Sequence, residues 1–220
     1  MFWIVTQSLL SGLATTFEIF ILTLIFALPL GLILAFGLLS KFTPLKRLVQ
    51  ILVWIIRGTP LMLQLIIIFY GPGLWLHKTV WSGNETGRIT ATVVAFVINY
   101  ACYFSEIYRG GIESIPRGQY EAAQVLGYTK AQTFFKIILP QMVKRVIPAV
   151  TNEVITLVKD TSLASVIGTV EMFTRAKQIV ASPNTPGMLA LVAAGVFYYV
   201  FNYVVAFAME KWEQALRYYR

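Results

Sequence analysis

Two carboxylates and a hydroxyl share one face of a predicted helix in the second half of the chain. Glu153, Thr156 and Asp160 stand at i, i+3 and i+7, and a rotation of about 100° per residue brings these positions to one side of a helix. Asn152 lies beside them. Charged side chains in apolar spans are tolerated where they pair or face a water-filled path. The pattern therefore predicts a site for a cation, such as the α-ammonium of an amino acid or the side chain of arginine, lysine or histidine.

The same carboxylates have a simpler explanation. Lys159 is adjacent to Asp160, and Arg57 is charged within another apolar stretch. Either cation can neutralise a carboxylate and hold helices together. We expect Glu153 to bind substrate, because it lies near the middle of its stretch and has no obvious partner. For Asp160, a substrate-binding and a structural role both stay open.

Arg57 also precedes a predicted interruption in its own apolar stretch. It is followed by Gly58-Thr59-Pro60, and a proline removes a backbone donor and clashes with the carbonyl four residues earlier. A broken helix at membrane depth exposes backbone groups that bind a ligand's carboxylate, and the charge of Arg57 suits the same task. The alternative is that Arg57 extends to the cytoplasmic interface, with its aliphatic stem in the membrane.

The sequence lacks the residues that several classes of function require. The chain has one cysteine, Cys102, and one histidine, His77, which leaves little for a histidine-based metal site or a Ser–His–Asp constellation. No intramembrane protease motif is present, and no G-x-x-x-x-G-K-[ST] phosphate loop occurs. An enzyme is therefore disfavoured, and any use of ATP requires a partner chain.

The composition indicates a membrane protein with several spans. Of the 220 residues, 57% are hydrophobic and 13% are charged, whereas soluble domains carry about 25% charged residues. A spanning helix needs about 20 mostly apolar residues. The sequence predicts an all-α protein with five transmembrane helices in one domain over residues 1–220, at approximately residues 11–39, 48–69, 89–108, 146–170 and 187–209.

The distribution of Lys and Arg predicts the orientation, because cytoplasmic loops are enriched in these residues. One side of the membrane carries twelve of them and the other carries four, which places the N-terminus outside and the C-terminus in the cytoplasm. This also explains the net charge of +8 without nucleic acid. The twelve are Lys41, Lys46, Arg47, Arg109, Arg117, Lys130, Lys136, Lys144, Arg145, Lys211, Arg217 and Arg220; the four are Lys78, Arg88, Arg175 and Lys177.

Residues 109–145, between the third and fourth spans, form a cytoplasmic connection that is not linker-like. Pro116 can open a helix, Glu121-Ala122-Ala123 favour a helix, and Gly127 can end it. Residues 130–139 predict a second helix, and Pro140 predicts a break or kink after it. We call this segment the 109–145 loop.

The spacing within the loop resembles the EAA signature of permease subunits in ATP-binding-cassette importers. Glu121-Ala122-Ala123 is followed after three residues by Gly127, and after nine more by Ile137-x-Leu139-Pro140. Three further motifs resemble the polar amino-acid branch of that family and occur in the expected order: Arg57-Gly58-Thr59-Pro60-Leu61, Glu106-Ile107-Tyr108-Arg109-Gly110-Gly111 and Lys159-Asp160-Thr161-Ser162-Leu163. The pair Asn152-Glu153 is similar to members that carry basic amino acids.

The resemblance implies a type I importer permease in a bacterial inner membrane. Two such subunits, identical or homologous, pair around a pathway, two ATPase subunits bind below them, and an extracytoplasmic binding protein delivers the amino acid. Residues 117–127 are then the coupling helix. ATP and Mg²⁺ belong to the ATPase, so this chain needs no cofactor. The implied coupling residues are Glu121, Ala122, Ala123, Gly127, Leu139 and Pro140. The alternative is an ion-coupled secondary transporter that uses Glu153 and Asp160.

Overall fold

The computed structural model describes residues 2–182 and 187–216, and every regular element in those ranges is helical. This confirms the predicted all-α class. The α-helices are α1 (Phe2–Leu38), α2 (Thr43–Arg57), α3 (Leu61–Leu76), α4 (Glu85–Glu113), α5 (Arg117–Val125), α6 (Lys130–Thr133), α7 (Leu139–Asp160), α8 (Met172–Ala181) and α9 (Gly187–Leu216). A π-helical turn, Phe134–Ile138, precedes α7, and a 3₁₀ segment, Thr161–Ile167, follows it.

Within the described residues, three helices are long and apolar enough to cross a membrane by themselves: α1, α4 and α9. The pair α2 and α3 satisfies the same criterion together but is bent by 104°. The fourth predicted span, near residues 146–170, corresponds to α7 and the 3₁₀ segment. Its charges lower its hydropathy, as expected from the sequence. The number of spans and the orientation of the termini stay predictions.

The predicted interruption after Arg57 is present. α2 ends at Arg57 and α3 begins at Leu61, because Pro60 lacks the N–H that a continuous helix needs and restricts the residue before it. The side chain of Gln64 stabilises the break. Its Nε2 donates to the carbonyl oxygens of Ile56 and Thr59 at 2.7 and 3.1 Å. At the bend, where the helical series of N–H donors is interrupted, the Gln64 side chain thus supplies these two backbone carbonyls with hydrogen bonds within the protein.

α4 forms the centre of the bundle. Its side chains Phe96, Tyr100 and Phe104 follow one another at intervals of four residues and are almost completely buried. α1 crosses this face closely at Gly31, where a Cβ atom would lie 2.7 Å from the Cβ of Phe104. Only glycine allows that approach. α7 packs on the same core through Leu157, which is fully buried.

Residues 130–139 are helical as predicted; of the predicted break or kink at Pro140 the structure has no break, and its irregularity is the π-helical turn just before the proline. Helical structure continues from Lys130 through the π-helical turn into α7, and Pro140 occupies the first turn of α7. The wider turn bonds the N–H of Leu139 to the carbonyl of Phe134. This spacing accommodates a proline whose ring would collide with a carbonyl in a regular α-helix.

α8 is fastened to the bundle by a buried carboxylate that the sequence reasoning missed. Glu171 is fully buried and caps α8, accepting from the backbone N–H of Phe173 and Thr174 at 2.5 and 2.7 Å. The hydroxyl of Tyr198 on α9 donates to the same carboxylate at 3.0 Å. The cap therefore ties α8 to α9, and its hydrogen bonds satisfy the buried charge.

Candidate functional site

A polar cavity of about 310 Å³ lies where the start of α3 meets α4 and α7. We call it the Glu153 cavity. α3 contributes its N-terminal end, α4 contributes an amide and two aromatic rings, and α7 contributes two carboxylates and a hydroxyl. The lining residues are Thr59, Pro60, Leu61, Asn99, Tyr100, Tyr103, Glu153, Thr156 and Asp160.

The structure brings Glu153, Thr156 and Asp160 together in this cavity, as the helical spacing predicted. All three are partly exposed. The hydroxyl of Tyr100 donates a hydrogen bond to Oδ2 of Asp160 at 2.8 Å. Tyr100 belongs to α4 and is buried in the protein core. Its hydrogen bond therefore fixes the Asp160 carboxylate at the wall shared by α4 and α7.

Neither carboxylate forms an ion pair with Lys159 or Arg57, although the charge of Arg57 acts on Glu153, and that of Lys159 on Asp160, at longer range. Arg109 forms ion pairs elsewhere, with Glu106 and Glu113. Glu153 and Asp160 thus face the cavity without an ion-pair partner in the part of the chain that the structure describes. This arrangement favours a cation supplied by a ligand.

Two predicted site residues do not line the cavity. Asn152 is exposed on another side of α7, because a step of one residue turns the helix by about 100°. Arg57 lines a neighbouring cavity, and its guanidinium carbon lies 5.1 Å from the centroid of the Tyr103 ring, which does line the Glu153 cavity.

Sequence reasoning missed the contribution of α4. Asn99 is buried, lines the cavity, and donates to Oε1 of Gln64 at 3.0 Å. Tyr100 and Tyr103 complete the same wall. An Asn within a predicted span is a signal that was available, since polar residues in membrane helices are rare and often functional.

The helix of the 109–145 loop, α5, ends just before Gly127, the residue that the sequence predicted as its end. α5 is Arg117–Val125, and Gly127 follows its last turn with φ +75°. The N–H of Tyr128 donates to the carbonyl of Ala123, and that of Gly127 to the carbonyl of Gln124, each at 3.0 Å. These two bonds form a Schellman motif, in which glycine adopts the left-handed conformation at least cost.

α5 presents one face to solvent and one to the protein. Glu121 and Ala122 are exposed, whereas Ala123 is only 1% exposed. Beyond them, Val125 and Leu126 are 87% and 71% exposed. Apolar side chains so open at the tip of a loop are typical of a protein-binding surface.

The loop is held firmly at both of its ends. Gly111 at the end of α4 packs against Val146 of α7, so closely that a Cβ atom would lie 2.3 Å from Cγ1 of Val146. A guanidinium nitrogen of Arg145 donates to the carbonyl of Ser114. At the other predicted positions, Leu139 packs partly buried on the main core and Pro140 is exposed. The segment that carries α5 is therefore anchored to α4 and α7.

The chain belongs to the family described as the binding-protein-dependent transport system inner membrane component, whose model matches residues 27–218. It is thus an inner-membrane permease subunit of an amino-acid importer of the ATP-binding-cassette class, without catalytic activity of its own. This confirms the resemblance found in the sequence. It also replaces the alternative of an ion-coupled secondary transporter. In this family, an ATPase and a substrate-binding protein are the general partners.

Three relatives illustrate the similarity. The arginine transport system permease protein ArtQ of Bacillus subtilis is 37% identical over 95% of this chain and 92% of its own length. The L-cystine transport system permease protein TcyB of the same organism is 37% identical over 93% of this chain and 85% of its own. A crystal structure titled as an amino acid ABC transporter with histidines has a TM-score of 0.85 at 30% identity, covering 96% of this chain and 94% of that one.

Proposed function

We propose that the chain imports a basic L-amino acid, arginine, lysine or histidine, through the Glu153 cavity. The observation that carries the proposal is the charge of the lining: two carboxylates, Glu153 and Asp160, and no cationic side chain from the described residues. One carboxylate suits the α-ammonium of any amino acid. A second carboxylate without an ion-pair partner suits a cationic side chain.

The α-carboxylate of the substrate binds at the opposite wall. Thr59, Pro60 and Leu61 bring the N-terminal end of α3 to the cavity. The N-terminus of a broken helix carries a partial positive charge and free N–H groups, which suit an anionic substrate group. Thr156 adds a hydroxyl beside the carboxylates of α7. The cavity thus offers complementary groups to both ends of an amino acid.

The names of the relatives support an amino acid as the substrate, but they differ in the side chain of that amino acid. The lining of the cavity is therefore the evidence for the type of side chain. ArtQ is named for arginine and TcyB for cystine, yet both are 37% identical to this chain. The solved structure at 30% identity is that of an amino acid ABC transporter with histidines. Cystine carries two α-ammonium groups, but each is balanced by an α-carboxylate. The cavity offers two carboxylates and only the start of α3 for an anionic group, which favours a substrate with a net positive charge.

The proposed topology has five spans, formed by α1, the bent pair α2–α3, α4, α7 with its 3₁₀ segment, and α9. The N-terminus lies outside and the C-terminus in the cytoplasm. The excess of Lys and Arg supports this orientation; Arg217 and Arg220 lie outside the described residues. The 109–145 loop is then cytoplasmic, and the chain forms one permease domain.

α5 docks on the ATPase in this arrangement and transmits its motion. The exposed Glu121 offers a carboxylate to a basic partner residue, Ala122 allows close approach, and Val125 and Leu126 provide apolar contact area. Two permease subunits, identical or homologous, enclose the pathway, and a loaded binding protein docks on the outer side. The ATPase shifts the complex between inward- and outward-facing states through its different affinity for each.

The test is uptake by liposomes that contain the chain with its ATPase and binding protein. We expect ATP-dependent uptake of labelled arginine that is inhibited by excess lysine and histidine but much less by excess cystine. Equal inhibition by cystine would overturn the basic substrate class. No copurifying ATPase and no ATP dependence would overturn the assembly.

A further inference from the structure

A second polar cavity lies beside the first. It has a volume of about 370 Å³ and runs between facing stripes of α2 and α4. We call it the α2–α4 groove. Lys46, Gln50, Trp54 and Arg57 lie along one face of α2, since their spacings of three and four residues match the helical turn. In the topology proposed above, Lys46 is close to the cytoplasmic end of α2, so the groove leads towards the cytoplasm.

One side-chain pair stands between the groove and the Glu153 cavity. Arg57 lines the groove and Tyr103 lines the cavity. The Arg57 guanidinium carbon lies 5.1 Å from the centroid of the Tyr103 ring, within the range of a cation–π contact. The nearby Glu106 carboxylate is engaged by Arg109 at 2.6 Å. Within the described residues Arg57 forms no ion pair; its guanidinium contacts the Tyr103 ring, and its charge acts on Glu153 at longer range.

The pair sits beside the sharpest bend in the bundle. Arg57 is the last residue of α2, and the 104° bend to α3 follows it directly. On the far side of the bend, Gln64 is fixed to α4 by the hydrogen bond from Asn99. A rotation of α2 about Gly58 moves Arg57 relative to α4. The same rotation breaks the hydrogen bond from Nε2 of Gln64 to the carbonyl of Ile56, while the bond from Asn99 keeps Gln64 and the start of α3 on α4.

We propose that Arg57 and Tyr103 form the inner barrier of the transport path, and that the α2–α4 groove is the release route to the cytoplasm. While the guanidinium covers the ring, it blocks the passage and repels a cationic substrate. When α2 turns at the hinge, the contact breaks and the groove joins the cavity. This inference rests on the proposed function, because it takes the Glu153 cavity as the substrate site.

The experiment measures access to the cavity from the cytoplasmic side. Thr156→Cys in a Cys102→Ser background places a thiol in the cavity of the full permease–ATPase complex. Inside-out vesicles without nucleotide are treated with a membrane-impermeant thiol reagent. Losing a cation–π contact of about 1 kcal/mol corresponds to roughly a fivefold faster labelling rate, which we expect for Arg57→Gln and for Tyr103→Leu.

Two control variants make the result specific. Tyr103→Phe keeps an aromatic ring under Arg57 and retains the slow labelling rate. Lys46→Gln removes a charge from the same groove without touching the pair, and also retains it. Unchanged labelling in both Arg57→Gln and Tyr103→Leu would overturn the barrier, as would equal acceleration by Lys46→Gln.

Protection by arginine separates this inference from the proposed function. With the barrier and the substrate site both correct, arginine slows the labelling of Thr156→Cys, and barrier variants speed it. Protection without any effect of the barrier variants rejects only the barrier. No protection by arginine, lysine or histidine rejects the proposed substrate site, and the barrier falls with it as a step in transport.

Discussion

The Glu153 cavity and the 109–145 loop are built in opposite ways. The cavity takes its lining from three helices that are distant in sequence, α3, α4 and α7. The loop helix α5 depends on a few neighbouring residues, because its end is defined by the Schellman bonds around Gly127. Substrate chemistry in this protein thus follows from tertiary packing, whereas the shape of the coupling element follows from local sequence. Variants in the two regions should affect different properties.

The largest effect is expected in the cavity, for Asp160→Asn. This change removes the charge while keeping an oxygen that accepts from Tyr100. A charge-assisted hydrogen bond contributes about 1.5–3 kcal/mol, so the KM for arginine uptake should rise about 10- to 100-fold. This KM is measured from the kinetics of labelled arginine uptake by liposomes that contain the complete transporter.

Tyr100→Phe is the control for the cavity variant. It removes the hydrogen bond to Asp160 but leaves the charge, and its effect on KM should be clearly smaller. A KM in Asp160→Asn no higher than in Tyr100→Phe would assign Asp160 a structural role.

The second-largest effect is expected in the 109–145 loop, for Gly127→Val. The site is sterically open, with nothing within 4 Å of an added Cβ, but its φ is +75°. The left-handed conformation costs about 1–2 kcal/mol for other residues, so arginine uptake per ATP hydrolysed should fall roughly 5- to 30-fold. Parallel assays of uptake and phosphate release give this ratio.

Gly118→Val is the matched control for the loop. It lies in the same loop, on α5; an added Cβ has open space there, as at Gly127, but its φ is not in the left-handed region. Its coupling ratio should stay much closer to wild type. Equal losses in both variants would mean that added bulk in the loop, rather than the turn at Gly127, matters.

A smaller effect is expected for Glu121→Lys. Glu121 is exposed, and a charge at the rim of an interface mainly changes association and its salt dependence. Affinity for the ATPase should fall about two- to fivefold at low salt, and the difference should shrink as salt screens the charge. Titration of the labelled ATPase at two salt concentrations tests this. A difference that salt leaves unchanged would contradict an electrostatic contact.

The smallest effect is expected for Asn152→Ala. Asn152 is exposed and does not line the Glu153 cavity. Surface substitutions usually change free energies by no more than about 0.5 kcal/mol, so the KM for arginine should change less than about threefold. A shift as large as that of Asp160→Asn would show that Asn152 contacts substrate in the assembled transporter.

The same contrast explains what the sequence predicted. Glu153, Thr156 and Asp160 were grouped correctly because their alignment depends only on the helical period. Gly127 was recognised as a helix end because turn chemistry is local. Asn99, Tyr100 and Tyr103 were missed, since they reach the cavity only through the packing of α4 on α7.

Two further differences concern local geometry that the residue types alone do not determine. Of the break or kink expected at Pro140, a break is absent, because the preceding π-helical turn accommodates the proline. Asn152 was grouped with its neighbour Glu153, yet one residue along a helix is a quarter turn away. The first prediction assumed a regular α-helix around Pro140. The second assumed that neighbours in sequence share one face of a helix.

Equilibrium binding of labelled arginine to the purified permease–ATPase complex, without nucleotide, tests the central claim most directly. It compares the wild-type chain with Glu153→Gln, Gly127→Val and Glu18→Gln, the last removing an exposed carboxylate of α1 that does not line the Glu153 cavity. We predict that Glu153→Gln weakens binding about tenfold or more, while Gly127→Val and Glu18→Gln leave it close to wild type. Wild-type binding in Glu153→Gln, or equal weakening in all three variants, would contradict the assignment of the substrate site to the Glu153 cavity.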